Sequence, residues 1–133
     1  MHYVVFTRKD NVWNNEFIKT YLAILDKIEA SEGPGVMVSI GTGNKLFSTG
    51  FDLDFWASSY DNMTNSIDAF QEIMARVLSF SMPTMCVFNG TAIAGGYLFG
   101  LCHDFRIMKD SADICLSELK LTLALPPAYM KLC

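Results

Sequence analysis

With 133 residues, 51% of them hydrophobic, the chain has enough length for one domain with a real core, and a single domain over residues 1–133 is expected. Its net charge of −4 offers no basic stripe to neutralise phosphates, which argues against a nucleic-acid partner, so any anionic ligand must be held by local groups. No apolar run approaches membrane-spanning length, which argues against a membrane partner; the four cysteines (Cys86, Cys102, Cys115, Cys133) stand mostly in apolar runs without a CxxC pair or a secretory signal, as reduced core residues of an intracellular protein do.

Residues 3–6 form a short β-rich run, followed by polar residues 7–11. From Glu16 to Ala30, Phe17, Tyr21, Ile24, Leu25 and Ile28 keep helical spacing, with Asn14 or Asn15 as N-cap. Residues 31–35 break that helix with Gly and Pro. Residues 36–40 are a continuous apolar run of strand length, the form of a strand covered on both faces. This β-α-β order predicts an α/β fold with parallel strands.

The glycines of residues 41–45 follow a strand, yet Leu46 stands where a dinucleotide-binding fingerprint needs its third glycine, and there is no Walker lysine pattern. In the stretch that follows, Phe47 is an apolar anchor, Gly50 allows an unusual backbone angle, and Asp52 can cap a short helix through Trp56. Residues 58–65 are polar and predict a mobile loop. Ile67, Phe70, Ile73, Met74, Val77 and Leu78 then mark an amphipathic helix ending before Pro83, with Asp68, Glu72 and Arg76 as its solvated face.

The stretch 85–104 organises the rest. A strand at residues 85–88 closes on the turn signal Asn89–Gly90, and the chain then passes through Ala94–Gly95–Gly96 into a buried helical segment, residues 97–102. Paired glycines at a helix start can admit a ligand to the backbone, where unpaired N–H groups hold negative charge; equally, they can let helix and sheet pack closely. Residues 105–108 predict another strand, residues 109–111 a turn, and residues 112–116 a further short strand. A Leu-rich segment follows Glu118, and Pro126–Pro127 mark a helix start. His2 and His103 are too few and too scattered for a metal site or a triad, and His103 reads as structural.

Three motifs in order, FSTGFDL (47–53), MPTMCVFNGTAIAGGYLFGLCHDFRIM (82–108) and SELKLTLALP (117–126), resemble the crotonase superfamily of enoyl-CoA hydratases and isomerases, most closely its Δ3,Δ2-enoyl-CoA isomerase branch. The resemblance implies a ββα spiral. It also implies two backbone N–H donors, from Ser48 and Gly95, forming an oxyanion hole for an acyl-CoA thioester, and Glu118 as the catalytic carboxylate. Lys45, Phe47, Phe51, Asp52, Leu53, Gly96 and Leu98 lie where the family binds its substrate, although Lys45 reads equally as a solvated lysine. A second family glutamate, used by hydratases to position water, falls on Leu98, so isomerisation with one proton shuttle is expected rather than hydration. The alternatives are a hydratase, or an inactive acyl-CoA-binding scaffold.

No cofactor is implied beyond coenzyme A as part of the substrate. Family members run to about twice this length, so the spiral is expected to be incomplete, without the C-terminal helices that build the family's homo-oligomeric trimer. Peroxisome or mitochondrion is the compartment the resemblance suggests; the closing Lys131–Leu132–Cys133 is only faintly like a peroxisomal tripeptide.

Overall fold

In the computed structural model, which describes residues 1–121 and 124–133, the chain opens with β1 (His2–Phe6) and then α1 (Asn15–Glu29). Asn14 starts that helix by accepting the Phe17 N–H at 2.9 Å. The apolar stripe of α1 buries Phe17, Ile18, Tyr21, Leu25 and Ile28. It packs beneath β2 (Met37–Gly41), whose residues are buried on both faces except for partly exposed Ile40.

From β2 onward the chain repeats one step. Each turn gives one strand to a four-stranded sheet, a short strand to a three-stranded sheet, and then a helix. The turns are β2, β3 (Leu46–Ser48), α2 (Leu53–Ser58) and α3 (Tyr60–Leu78); β4 (Thr84–Phe88), β5 (Thr91–Ile93) and α4 (Gly95–Leu101); and β6 (Phe105–Met108), β7 (Ile114–Cys115) and a 3-10 turn at Ser117–Leu121. A short α5 (Pro127–Met130) follows. The larger sheet runs β1-β2-β4-β6 and the smaller β3-β5-β7, and every pairing is parallel. This is the ββα spiral that the resemblance implies. The Leu-rich segment after Glu118 lies partly outside the described residues.

The core is aromatic. Phe6 sits with its ring centroid 5.2 Å from Phe17, 5.3 Å from Phe47 and 5.7 Å from Phe99, joining α1, β3 and α4 in one cluster. Two glycines set how closely the turns of the spiral stack. A Cβ on Gly100 would stand 2.1 Å from the Phe88 ring, and one on Gly90 would stand 2.5 Å from the backbone nitrogen of Leu46.

Several expectations need correction. Residues 60–65 are the first turns of α3, not a loop: Ser59 caps the helix through the Asp61 N–H at 3.2 Å, and Ser66 is buried against Asn15 at 3.1 Å. Polar side chains there turn outward, so they carry no apolar period to read. Arg76 is not simply solvated; its guanidinium bridges to Asp26 at 2.8 Å and Glu29 at 2.7 Å, tying α3 to α1. Of the four cysteines, all with free thiols, only Cys86 and Cys102 are fully buried, while Cys133 is exposed. Burial lifts the Cys86 thiol and raises Cys102 to about 12, which keeps both protonated.

His103 anchors a buried polar chain. Its Nδ1 lies 3.1 Å from the Phe99 carbonyl, which can only accept, so Nδ1 carries the proton. Nε2 therefore accepts from the Ser39 hydroxyl at 3.0 Å, and Ser39 oxygen faces the Tyr21 hydroxyl at 3.4 Å. Burial pushes the imidazole down to about 4 from its usual 6.5. A folded value below the unfolded one means the neutral ring stabilises the fold: the contribution is full above pH ~6.5 and is lost as pH falls toward ~4. The loss amounts to about 3 kcal/mol from this ring. Urea unfolding at pH 7 and pH 4.5 checks it, and a His103→Gln variant should lack that part of the pH dependence.

Candidate active site

The turn after β3 is fixed by its own hydrogen bonds. Gly50 holds φ +89°, and its carbonyl accepts the Trp13 N–H at 2.8 Å. The Thr49 N–H goes to the Asp10 carbonyl at 3.1 Å and the Gly50 N–H to the Ser48 hydroxyl at 3.2 Å. Asp52 then starts α2 by accepting the Phe55 N–H at 3.0 Å. Between these committed groups stands the peptide N–H of Phe51, beside the start of α4.

That start is unusual. Ala94, the residue before α4, has φ +50° and ψ −119° and offers no side-chain cap to the helix N–H groups. A non-glycine residue in that region stores about 1–3 kcal/mol of strain, which the surrounding fold must hold in place. A Cβ on Gly50 would stand 3.0 Å from the Ala94 Cβ and 3.2 Å from the Gly95 nitrogen, so the two turns meet there. The glycine pair divides its roles. Gly96 serves packing, since a Cβ on it would lie 2.6 Å from the Ser48 Cβ; Gly95 lies under the Phe51 ring, 3.1 Å from such a Cβ.

Between α2, α3 and the 3-10 turn lies a cavity of about 260 Å³. Its walls are Phe51, Trp56, Ile67 and Leu98 on the helix side, with Leu125 and Tyr129 closing the other end. Glu118 also lines it, half-buried in the 3-10 turn. Its Oε2 is buried and meets no hydrogen-bond partner among the described residues. An unpaired carboxylate oxygen beside apolar walls is costly for folding and is the arrangement a proton-transfer group needs.

The site residues expected from sequence separate into two groups. Phe51, Leu53, Leu98 and Glu118 line the cavity, and Gly95 and Gly96 are buried just behind Ala94, which lines it. Asp52 shapes the wall by capping α2. Phe47 is instead a fully buried core ring, stacked among Phe6, Phe88 and Phe99. Lys45 is exposed on the loop before β3 and does not reach the cavity.

Ser48 is a correction. It is fully buried, and its hydroxyl donates to the Asn11 carbonyl at 2.8 Å. Its strand partner Ala92 sends its own N–H the other way, to Asp113 at 2.9 Å, so the Ser48–Ala92 pairing is carried by the peptide groups of Ser48 itself. Its N–H is spent inside the sheet. Sequence reading also passed over Trp56, Met63 and Tyr129 as walls; only the cluster of large apolar residues around the FSTGFDL stretch hinted at them.

The family described as Enoyl-CoA hydratase/isomerase matches residues 2–133. The chain belongs to the enoyl-CoA hydratase/isomerase (crotonase) family. It is 34% identical over 122 residues to Enoyl-CoA delta isomerase 3 of Arabidopsis thaliana, covering 86% of this chain and 50% of that protein. A putative enoyl-CoA hydratase of Thermus thermophilus is 31% identical over 116 residues, covering 84% of this chain and 45% of that protein. Among solved structures, an enoyl-CoA hydratase from Bacillus anthracis superposes with a TM-score of 0.84 at 27% identity, covering 92% of this chain and 49% of the other. The chain thus spans about half the length of the crotonase relatives it matches. No described helix is long and apolar enough to cross a membrane.

Proposed function

We propose that this crotonase-family chain carries the proton-transfer site of a Δ3,Δ2-enoyl-CoA isomerase. The observation behind this reading is that Glu118 is the one carboxylate among the described residues lining the cavity, facing apolar walls that include Leu98. Hydration needs a second group to orient water; moving a double bond needs one base.

In this reading Glu118 removes a proton from C2 of a 3-enoyl thioester. The C3=C4 bond electrons shift, the new double bond forms between C2 and C3, and the same proton returns at C4. Between the two steps the negative charge rests on the thioester oxygen. The N–H groups of Gly95 and Phe51 stabilise it, Phe51 taking the part that the resemblance first suggested for Ser48. Such donors, aimed at charge that develops only in the transition state, contribute about 3–4 kcal/mol each. Leu98, with 1% of its surface exposed, helps keep the site dry. Coenzyme A enters as part of the substrate, and no separate cofactor takes part.

A peroxisomal role in fatty-acid β-oxidation fits this chemistry and the relative named Enoyl-CoA delta isomerase 2, peroxisomal, from Arabidopsis thaliana, 30% identical over 123 residues. The test is NMR product analysis of a short trans-3-enoyl-CoA incubated with folded protein. A 2-enoyl thioester supports isomerisation, whereas a 3-hydroxyacyl product points to a hydratase. Unchanged substrate overturns both in favour of a chain that at most binds acyl-CoA.

A further inference from the structure

Among the described residues, two that are not glycine hold a positive φ: Ala94, before α4, and Asn11, at +45° in the segment between β1 and α1. Asn11 lines no part of the cavity, and it is 1% exposed. Burying it is costly. Its Oδ1 meets no hydrogen-bond partner among the described residues, and its backbone sits where most side chains are strained. Glycine would take the same angle without stranding an oxygen. What asparagine adds is a donor: Nδ2 donates to the Phe47 carbonyl at 2.8 Å.

That bond is the first of a series. The Asn11 carbonyl accepts the Ser48 hydroxyl at 2.8 Å, and the same hydroxyl accepts the Gly50 N–H at 3.2 Å. The Asp10 carbonyl takes both the N–H and the hydroxyl of Thr49, at 3.1 and 3.2 Å. Trp13 donates its N–H to the Gly50 carbonyl at 2.8 Å and pairs with Phe51 in an isolated parallel bridge. Such a bridge runs through the peptide groups of Trp13, so the Phe51 N–H turns away from it. Residues 47–50 are thus gripped one by one from residues 10–13, and the grip ends at the N–H that the proposed reaction uses. The other donor is braced from the same segment: a Cβ on Gly95 would meet the fully buried Trp13 indole at 3.6 Å.

We propose that Asn11 is a positioning residue for the two oxyanion donors, an assignment that rests on the isomerase reading of this site. It touches neither substrate nor reacting atoms. It fixes the turn 47–50 so that the N–H groups of Phe51 and Gly95 converge on one thioester oxygen. The stranded Oδ1 and the left-handed backbone accompany that placement, as strain does where a site is pre-organised.

Asn11→Gly tests this, because glycine keeps the φ of +45° and removes the donor. The expected result is kcat for a 3-enoyl-CoA lowered roughly 10- to 100-fold with KM within about threefold, as for donors used only in the transition state. Ile28→Ala, in the buried stripe of α1, is the comparison: it should lower the melting temperature and leave kcat of the folded protein unchanged. Amide hydrogen exchange read by NMR is independent of turnover. In Asn11→Gly the Thr49 and Trp13 N–H groups should exchange at least about tenfold faster, while Leu25 in α1 keeps its rate. A folded Asn11→Gly protein with kcat within about threefold of the unaltered chain overturns the proposal, and so does unchanged exchange at Thr49 and Trp13. If Asn11→Gly does not fold, Ser48→Ala takes its place with the same limits, since it cuts the hydrogen-bonded chain from Gly50 to Asn11. If the unaltered chain leaves 3-enoyl-CoA unchanged, the isomerase reading fails by itself and exchange alone decides: acceleration confined to the turn supports Asn11 as its brace, and none overturns it.

Discussion

Glu118→Gln is expected to lower turnover of a 3-enoyl-CoA by about 10³-fold while leaving KM within a few-fold. General acid–base groups contribute about 10²–10⁴ to rate, and in the proposed reaction one carboxylate serves both proton steps. Glutamine keeps the shape and can still hydrogen-bond, but it cannot take a proton from carbon. The substitution breaks no hydrogen bond to Oε2, since that atom has no partner among the described residues. Thermal unfolding should therefore shift little, separating a chemical loss from a folding loss. The measurement is kcat and KM from the absorbance of the 2-enoyl thioester, beside a melting curve. Retention of activity within tenfold would remove Glu118 from the mechanism.

Gly96→Ala is the second large effect, and it acts on both stability and catalysis. The added methyl would stand 2.6 Å from the Ser48 Cβ, 2.8 Å from its hydroxyl oxygen and 2.9 Å from its carbonyl oxygen. None of these is the far end of a flexible side chain. Ser48 is held by its sheet partner and by the Asn11 carbonyl, so α4 must move away from β3. Overpacking of this kind costs about 1–3 kcal/mol, and the upper value is expected where backbone is the obstacle. The same movement carries the Gly95 N–H away from the Phe51 turn. A displacement near 1 Å at such a site can cost about 10²-fold in rate. Gly43→Ala provides the comparison: φ there is +82°, but a Cβ would meet nothing within 4 Å, so only the backbone penalty of about 1 kcal/mol applies. Denaturant unfolding and kcat for both variants check the contrast.

What could be read from the sequence was what local chemistry specifies. The Asn14 cap and the period of α1, the unbroken apolar run of β2, the positive φ of Gly50 and the cap at Asp52 are all decided within a few residues of chain. The short strands β3 and β5 were not legible. Three residues carry no period, and their pairing is set by neighbours such as Asp113, far along the chain. The start of α3 was missed because its polar residues face water and its stability comes from a cap and from packing onto α1. Glu118 and Leu98 were named from the motifs alone, and both line the cavity. The choice between the N–H groups of Ser48 and Phe51 depends on where Ala92 sends its own N–H, a question only the three-dimensional arrangement answers.

The spiral also sets the order in which the chain can fold. No strand of the larger sheet pairs with its neighbour in sequence through a hairpin: His2 pairs with Met37, Met37 with Thr84, and Met85 with Phe105. Each pairing closes a long loop, whose entropy is lost before the contact is gained. A chain with such non-local contacts folds on a timescale of about milliseconds to seconds rather than microseconds. During that interval α1 and α3 can form as local amphipathic units while the apolar strands wait unpaired. The strands, not the helices, are where a newly made chain is most exposed to aggregation.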